Sequence, residues 1–256
     1  MRTLWAFYSC IFKSLEKHKI DTLLSFLDIC ANQAISIVFL YIIFGNVPSL
    51  QGYSRDELLM IYGIFVYNKG IAAFFTESLY EIESQVKAGT FDGILVRPVR
   101  PIIQILGLNL GFGELVNVGI GLAMIIAKLP VVKAKITILD IIIILLFVVL
   151  SVMVVFSIRL ICMSVSFWTL TSFPVAIAVD NVSDFAKYPT SIYNKGVKFI
   201  LDYIIPFAVL AYFPTLVLLK GDVKVLFVSV AITVVLFLLS MIVWRIGIKN
   251  YKSSGH

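Results

Sequence analysis

Five uninterrupted apolar runs, each long enough to cross a bilayer as a helix, constrain this chain more than any other feature. A hydrocarbon core takes roughly 20 helical residues, and the runs fall at about 22–44, 58–79, 102–127, 138–165 and 223–246. Composition agrees: 60% of residues are hydrophobic and 14% charged, against about 45–50% and about 25% in soluble domains. A soluble globule of 256 residues has too little interior to hide that much apolar surface. An aqueous enzyme, a nucleic-acid-binding domain and a disordered chain are all poor readings. The expected fold class is an all-α integral membrane protein.

The remaining segments need individual treatment. Residues 1–20 place Leu4, Trp5, Tyr8, Ile11, Phe12 and Leu15 on one helical face, with Arg2, Lys13, Glu16 and Lys17 away from it. That pattern fits an interfacial amphipathic helix, or a cytosolic helix packed on protein. Residues 166–187 are moderately apolar and carry Asp180 and Asp184, whereas 197–219 are apolar but broken by Pro206 and Pro214. Interrupted backbone at membrane depth persists only where protein or a wet cavity satisfies its polar groups. The expectation is a fifth span at 166–187 and a re-entrant hairpin at 197–219; the rival assignment exchanges the two. Either gives six spans and leaves both termini on one side.

The net charge of +6 sits mainly between the apolar runs and at the ends, where anionic headgroups attract it. With cytosolic termini, inside and outside segments hold ten and nine basic residues, which decides nothing. The first span does discriminate: three lysines precede it and only Arg55 follows, favouring a cytosolic N-terminus.

Chemistry-bearing constellations are almost missing. The histidines are His18 and His256, too far apart for a histidine metal site or a Ser–His pair within the membrane. Cys10, Cys30 and Cys162 form no CxxC pair and read as small packing residues. The first twenty residues lack the pattern of a signal peptide. No glycine precedes a lysine, so no P-loop can form, and any ATP must be bound by another chain. Neither a cofactor nor a metal is expected. The absence of an inverted repeat weakens a secondary-carrier reading.

The connection at 80–101, YEIESQVKAGTFDGILVRPVRP, is the most informative cytosolic segment. Glu81–Ala88 can form a short helix with Ile82 and Val86 on one side, stopped by Gly89. Asp92 can cap the turn that follows. Two Arg-Pro steps, Arg97-Pro98 and Arg100-Pro101, hold the preceding arginines extended. A rigid short helix at the bilayer surface suits docking into a cytosolic partner, although the residues alone are equally compatible with an ordinary loop.

The motif GTFDGILVRP resembles the Gly-x-x-Asp-x-x-Leu-x-Arg-Pro signature of the bacterial ABC-2 family of transporter permeases. GYSRDELLMIYG at 52–63, SFW at 166–168, FAKYPTSIY at 185–193, AYFPTLVLL at 211–219 and the terminal WRIGIKNYKSSGH agree with that family in order. Asn194 departs from the proline the family often carries after Ile-Tyr. The resemblance implies a six-span membrane subunit with an interfacial helix at 1–20, a coupling helix within 80–101 and a re-entrant hairpin before the last span. It implies a multi-pass protein of the cell membrane, a separate cytosolic ABC ATPase, and a second permease chain, identical or related. By position, Glu83, Lys87, Gly89, Asp92, Arg97 and Pro98 fall at or beside the ATPase contact.

Ionisable residues inside spans are costly and usually paired or functional. Lys69 falls near the middle of the second run and Glu114 near the middle of the third; Asp28 and Arg159 each lie about six residues from the cytosolic end of theirs. Matching depths gives Lys69–Glu114 and Asp28–Arg159 pairs, either fixing helix register or lining a polar path. Gly107, Gly111, Glu114 and Gly121 share one face of the third run, with Asn117 at its edge. Such a face serves close packing within the chain or a dimer contact. The leading function is the permease subunit of an ATP-driven exporter, without a nucleotide site of its own, carrying an amphipathic peptide, a drug or a lipid-like compound among membrane lipids. The alternative is an ion-coupled secondary carrier working without an ATPase through Lys69, Glu114 and Asp28.

Overall fold

The computed structural model describes residues 19–46, 52–133 and 135–252, and within the first helix the side chains of Leu27 and residues 29–42. The helix expected over 1–20 lies outside the described residues apart from the backbone of Lys19 and Ile20, as does the side chain of Asp28.

Every regular element among the described residues is helical. The long helices are α1 (Lys19–Asn46), α2 (Arg55–Thr76), α6 (Leu115–Val132), α7 (Ile138–Ser164) and α12 (Val223–Asn250). Short helices fill the connections: α3 (Glu81–Lys87), α4 (Phe91–Leu95), α5 (Pro101–Leu106), α8 (Ser166–Thr169), α9 (Phe173–Val182), α10 (Lys195–Phe199) and α11 (Tyr212–Lys220). Four helical runs among the described residues are long and apolar enough to cross a membrane: Arg55–Lys87, Phe112–Val132, Ile138–Thr169 and Val223–Asn250. A shorter apolar stretch, Ile29–Ile42, lies within α1.

α2 is the helix around which the others pack. Ser54 starts it with a reciprocal cap: its Oγ accepts from the Glu57 N–H at 3.4 Å, and its own N–H donates to the Glu57 carboxylate at 2.6 Å. Every residue from Leu58 to Val66 is then buried, the signature of an apolar helix surrounded by protein. Close approach to α6 depends on glycines. A Cβ on Gly121 would lie 2.4 Å from the Tyr67 amide nitrogen, and one on Gly63 would lie 2.8 Å from Met124 Cβ. These small residues therefore serve packing within the chain.

Two expected spans are not single helices. The run at 102–127 breaks after α5, because Gly107 and Gly111 bracket a stretch that leaves the helix and sends the Gly111 N–H to the Phe74 carbonyl at 3.0 Å. The membrane helix starts only at Phe112–Glu114, so Gly107 and Gly111 do not share a face with Gly121, and Glu114 stands at the helix start rather than mid-span. Residues 166–187 also divide. Leu170 ends α8 in the left-handed region at φ 61°, and Pro174 opens α9 two residues after Ser172. A proline in the first turn of a helix gives up an N–H that has no intrahelical partner anyway, so Pro174 suits a new helix start after the break at Leu170.

Residues 195–220 form two helical arms, Lys195–Ile204 and α11, around a turn at 205–211. Phe207, Ala208, Val209, Leu210 and Ala211 in that turn are almost fully buried. Protein groups satisfy its carbonyls: Asn68 Nδ2 donates to Leu210 at 2.7 Å and Ser151 Oγ to Val209 at 3.4 Å. Asp202, buried in the first arm, accepts from Thr190 at 2.7 Å and Lys198 at 2.6 Å.

Candidate coupling site

Twenty-two residues of α2 rise about 33 Å at about 1.5 Å each, enough to exhaust the hydrocarbon thickness. α3 follows α2 in the same helical run, which extends to Lys87. It keeps Ile82 and Val86 buried and ends at Gly89, whose φ of +69° is left-handed and reverses the chain.

Glu83 is buried on α3 and reaches across to the start of α9. Its Oε2 accepts the Ser172 N–H at 2.6 Å, the Phe173 N–H at 2.5 Å and the Ser172 hydroxyl at 3.3 Å, while Oε1 pairs with Lys87 one turn on. A carboxylate thus caps a helix N-terminus from a different element, where unpaired N–H groups and the helix dipole both favour negative charge. Burial alone would push its pKa up, but Lys87 and the two backbone N–H groups outweigh that and hold it at about 2.

α4 carries Asp92 in its first turn, with Thr90 at the cap position and no side-chain cap bond. The Asp92 carboxylate neighbours Tyr251, whose phenol is pushed up by burial first and by Asp92 second. Beyond α4 the chain forms an exposed tip at 95–100. Leu95, Val96, Arg97, Pro98, Val99 and Arg100 are all exposed, with Val96 at 83%. Gln104 on α5 braces this tip by donating to the carbonyls of Ile94 at 2.8 Å and Val99 at 2.6 Å. Arg100 is extended, at φ −55° and ψ 129°, as its proline requires.

One aromatic knot anchors the base of the segment. Phe91 of α4 packs edge-on against Phe167 at 5.1 Å, Trp244 at 6.2 Å and Tyr251 at 5.1 Å between ring centroids. Phe167 also covers Gly247, where a Cβ would meet its ring at 2.5 Å. Motifs separated by more than 150 residues thus meet at one place.

A family model described as ABC-2 family transporter protein matches residues 30–255. The chain belongs to the ABC-2 transporter family. It is a membrane permease of the ABC exporter class. Neither a curated protein nor a solved structure matches it.

From the candidate coupling segment of this ABC-2 permease, α9 leads to the ionisable residues expected within the spans; Lys69 and Glu114 take partners other than each other, whereas the expected Asp28–Arg159 pair rests on an Asp28 side chain outside the described residues. Arg159 is buried on α7 and binds Asp180 of α9 through Nη2 at 2.7 Å and Nε at 3.2 Å; Nη1 donates to Thr76 at 2.9 Å and lies 3.7 Å from Glu77. Its guanidinium also stacks over Tyr80, whose hydroxyl donates to the same Asp180 oxygen. Lys69 pairs with Asp184 at 2.9 Å, one helical turn beyond Asp180, and Lys187 takes the other Asp184 oxygen at 3.1 Å. The expected Lys69–Glu114 pair is absent because Glu114 sits at the start of α6 and bonds Asn117 at 2.8 Å. Asn117 in turn accepts from Gln33 at 2.7 Å, and Gln33 accepts from Tyr62. The partners missed from sequence, Asp180 and Asp184, were visible as two acids four apart in an apolar stretch; nothing local indicated Glu77, Tyr80, Gln104 or Ser172.

Proposed function

We propose that this ABC-2 permease pairs with a second permease chain and is driven by separate cytosolic ATPase subunits that grip the 95–100 tip. The observation that carries this reading is an exposed apolar and basic tip on a base that cannot swing freely. Val96, Leu95 and Val99 offer apolar surface and Arg97 and Arg100 two charges, while Gln104, the aromatic knot and Glu83 fasten the segment to α5, α12 and α9. Exposed apolar side chains flanked by charge are the usual composition of a docking patch.

In this mechanism, closure of the ATPase subunits displaces the tip, and α3 carries the displacement to α9 through Glu83. α9 holds Asp180 and leads directly into the turn Ser183–Lys187 that holds Asp184, so its movement shifts the ion pairs with Arg159 and Lys69 between two arrangements. Glu83, Lys87, Gly89, Asp92, Arg97 and Pro98 all belong to this unit: the first two as the latch, Gly89 as the reversal, Asp92 as a brace toward Tyr251, and Arg97-Pro98 as the contact itself. The chain spans the cell membrane six times with both termini cytosolic, 197–219 being re-entrant and 166–187 completing the fifth crossing. Its cargo is an amphipathic peptide, drug or lipid-like compound.

The test is a cysteine at Val96, crosslinked in membranes containing this chain and its ATPase, together with the double change Asp92→Ala and Arg97→Glu. Crosslinks from Val96 to the ATPase and loss of substrate-stimulated ATP hydrolysis with intact membrane insertion are expected. Crosslinks mapping elsewhere, with hydrolysis and export unchanged, would falsify the assignment.

A further inference from the structure

A cavity of about 460 Å³ lies between α1, α2 and the chain from Asn181 to Tyr188, within the range that holds a drug-sized ligand. Its two walls differ in chemistry. The α1 wall is mainly apolar, built from Ile35, Phe39 and Leu40 with Ser36 its one polar side chain. Facing it are the hydroxyls of Tyr62 and Tyr188 and the charges of Asp184 and Lys187. Phe39 and Phe185 are 53% and 50% exposed, so the cavity is open rather than sealed.

The charges on the polar wall do not cancel. Asp184 is bonded on one oxygen by Lys69 at 2.9 Å and on the other by Lys187 at 3.1 Å. Two ammonium groups share one carboxylate, and only Lys187 lines the cavity with it. With two ammonium groups against one carboxylate, one positive charge is left in excess beside the cavity. A mainly apolar wall opposite a cluster of net positive charge selects a molecule with a hydrocarbon body and an anionic head.

We propose that this cavity binds an anionic amphiphile, its phosphate or carboxylate on Lys187 and its apolar part against Ile35, Phe39 and Leu40. As a cargo site it rests on the permease reading; as a binding site it does not. Lys187 can be altered without stranding a charge, because Asp184 keeps Lys69.

The test uses the purified full chain in a non-ionic detergent, with dodecyl phosphate, dodecyltrimethylammonium and inorganic phosphate as probes and native mass spectrometry as the readout. Dodecyl phosphate should bind at least tenfold more tightly than dodecyltrimethylammonium, and inorganic phosphate should not be retained. Lys187→Gln should weaken dodecyl phosphate at least fivefold, Lys187→Arg should preserve it, and Lys195→Gln, away from the cavity, should leave it unchanged. Equal binding of the cationic amphiphile, retention of phosphate alone, or indifference to Lys187→Gln would overturn the proposal. No ATPase is present, so such a failure leaves the permease reading standing. Specific binding without ATP-dependent export would instead overturn that reading and leave the site.

Discussion

Changing Glu83 to Gln alters one charge at the joint between α3 and α9 and keeps the side chain's shape. The amide oxygen still accepts from Ser172 and Phe173, but as a neutral acceptor. A hydrogen bond to a charged group contributes about 1.5–3 kcal/mol against about 1 for a neutral one, so two such bonds lose about 1–4 kcal/mol. The helix N-terminus loses about 0.3–1 kcal/mol of favourable charge, and the Lys87 pair about 0.2–0.5. Glu83→Gln should therefore cost about 1.5–5.5 kcal/mol, and Glu83→Ala more, since it leaves the Ser172 and Phe173 donors without their acceptor. Equilibrium unfolding in mixed detergent–SDS micelles measures this. The same carboxyl makes stability depend on pH. Its folded pKa, about 2, is below the unfolded value of about 4.3, so its contribution is whole above about 4.3 and is lost as pH falls through about 2. Glu83→Gln should flatten that part of the profile. A Gln variant within about 0.5 kcal/mol of the parent, which is ordinary surface behaviour, with the acid limb unchanged, would refute the latch.

Three further outcomes follow from the packing. Arg159→Met leaves Asp180 and Glu77 without their cation and should cost about 3–5 kcal/mol, the usual result of breaking a buried pair, read by fluorescence-detected thermal stability. Lys69→Met should be milder because Asp184 retains Lys187 and is partly exposed; adding Asp184→Asn should recover the thermal midpoint, whereas adding Glu114→Gln should not, which distinguishes the observed pairing from depth-matching. Gly121→Ala drives a Cβ against the α2 backbone and should cost at least the ~1–3 kcal/mol typical of overpacking, seen as lost expression of folded protein.

The membrane class and the long helices were legible because they depend on runs of apolar residues, which need no knowledge of contacts. The local shape of the 80–101 connection was legible for the same reasons: Ile82 and Val86 at helical spacing, Gly89 as the stop, Pro101 holding Arg100 extended. What failed were inferences over distance. Depth-matching assumed an unbroken helix at 102–127, yet Gly111 bonds back to Phe74 and moves Glu114 to the helix start. Lys69 pairs not with Glu114 but with Asp184, more than 100 residues away, and side-chain pairing at such range is set by topology. Glu83 was assigned to the ATPase contact by position; in the fold it faces inward, toward Ser172, so its proposed role is to transmit rather than to touch.

Export by proteoliposomes containing this chain, with and without its ATPase, tests the central claim most directly. Transport should require the ATPase and ATP hydrolysis, should stop with vanadate, and should fail when Val96→Asp disables the tip while membrane insertion is retained. Transport by this chain alone, driven by an ion gradient and indifferent to vanadate, would contradict it.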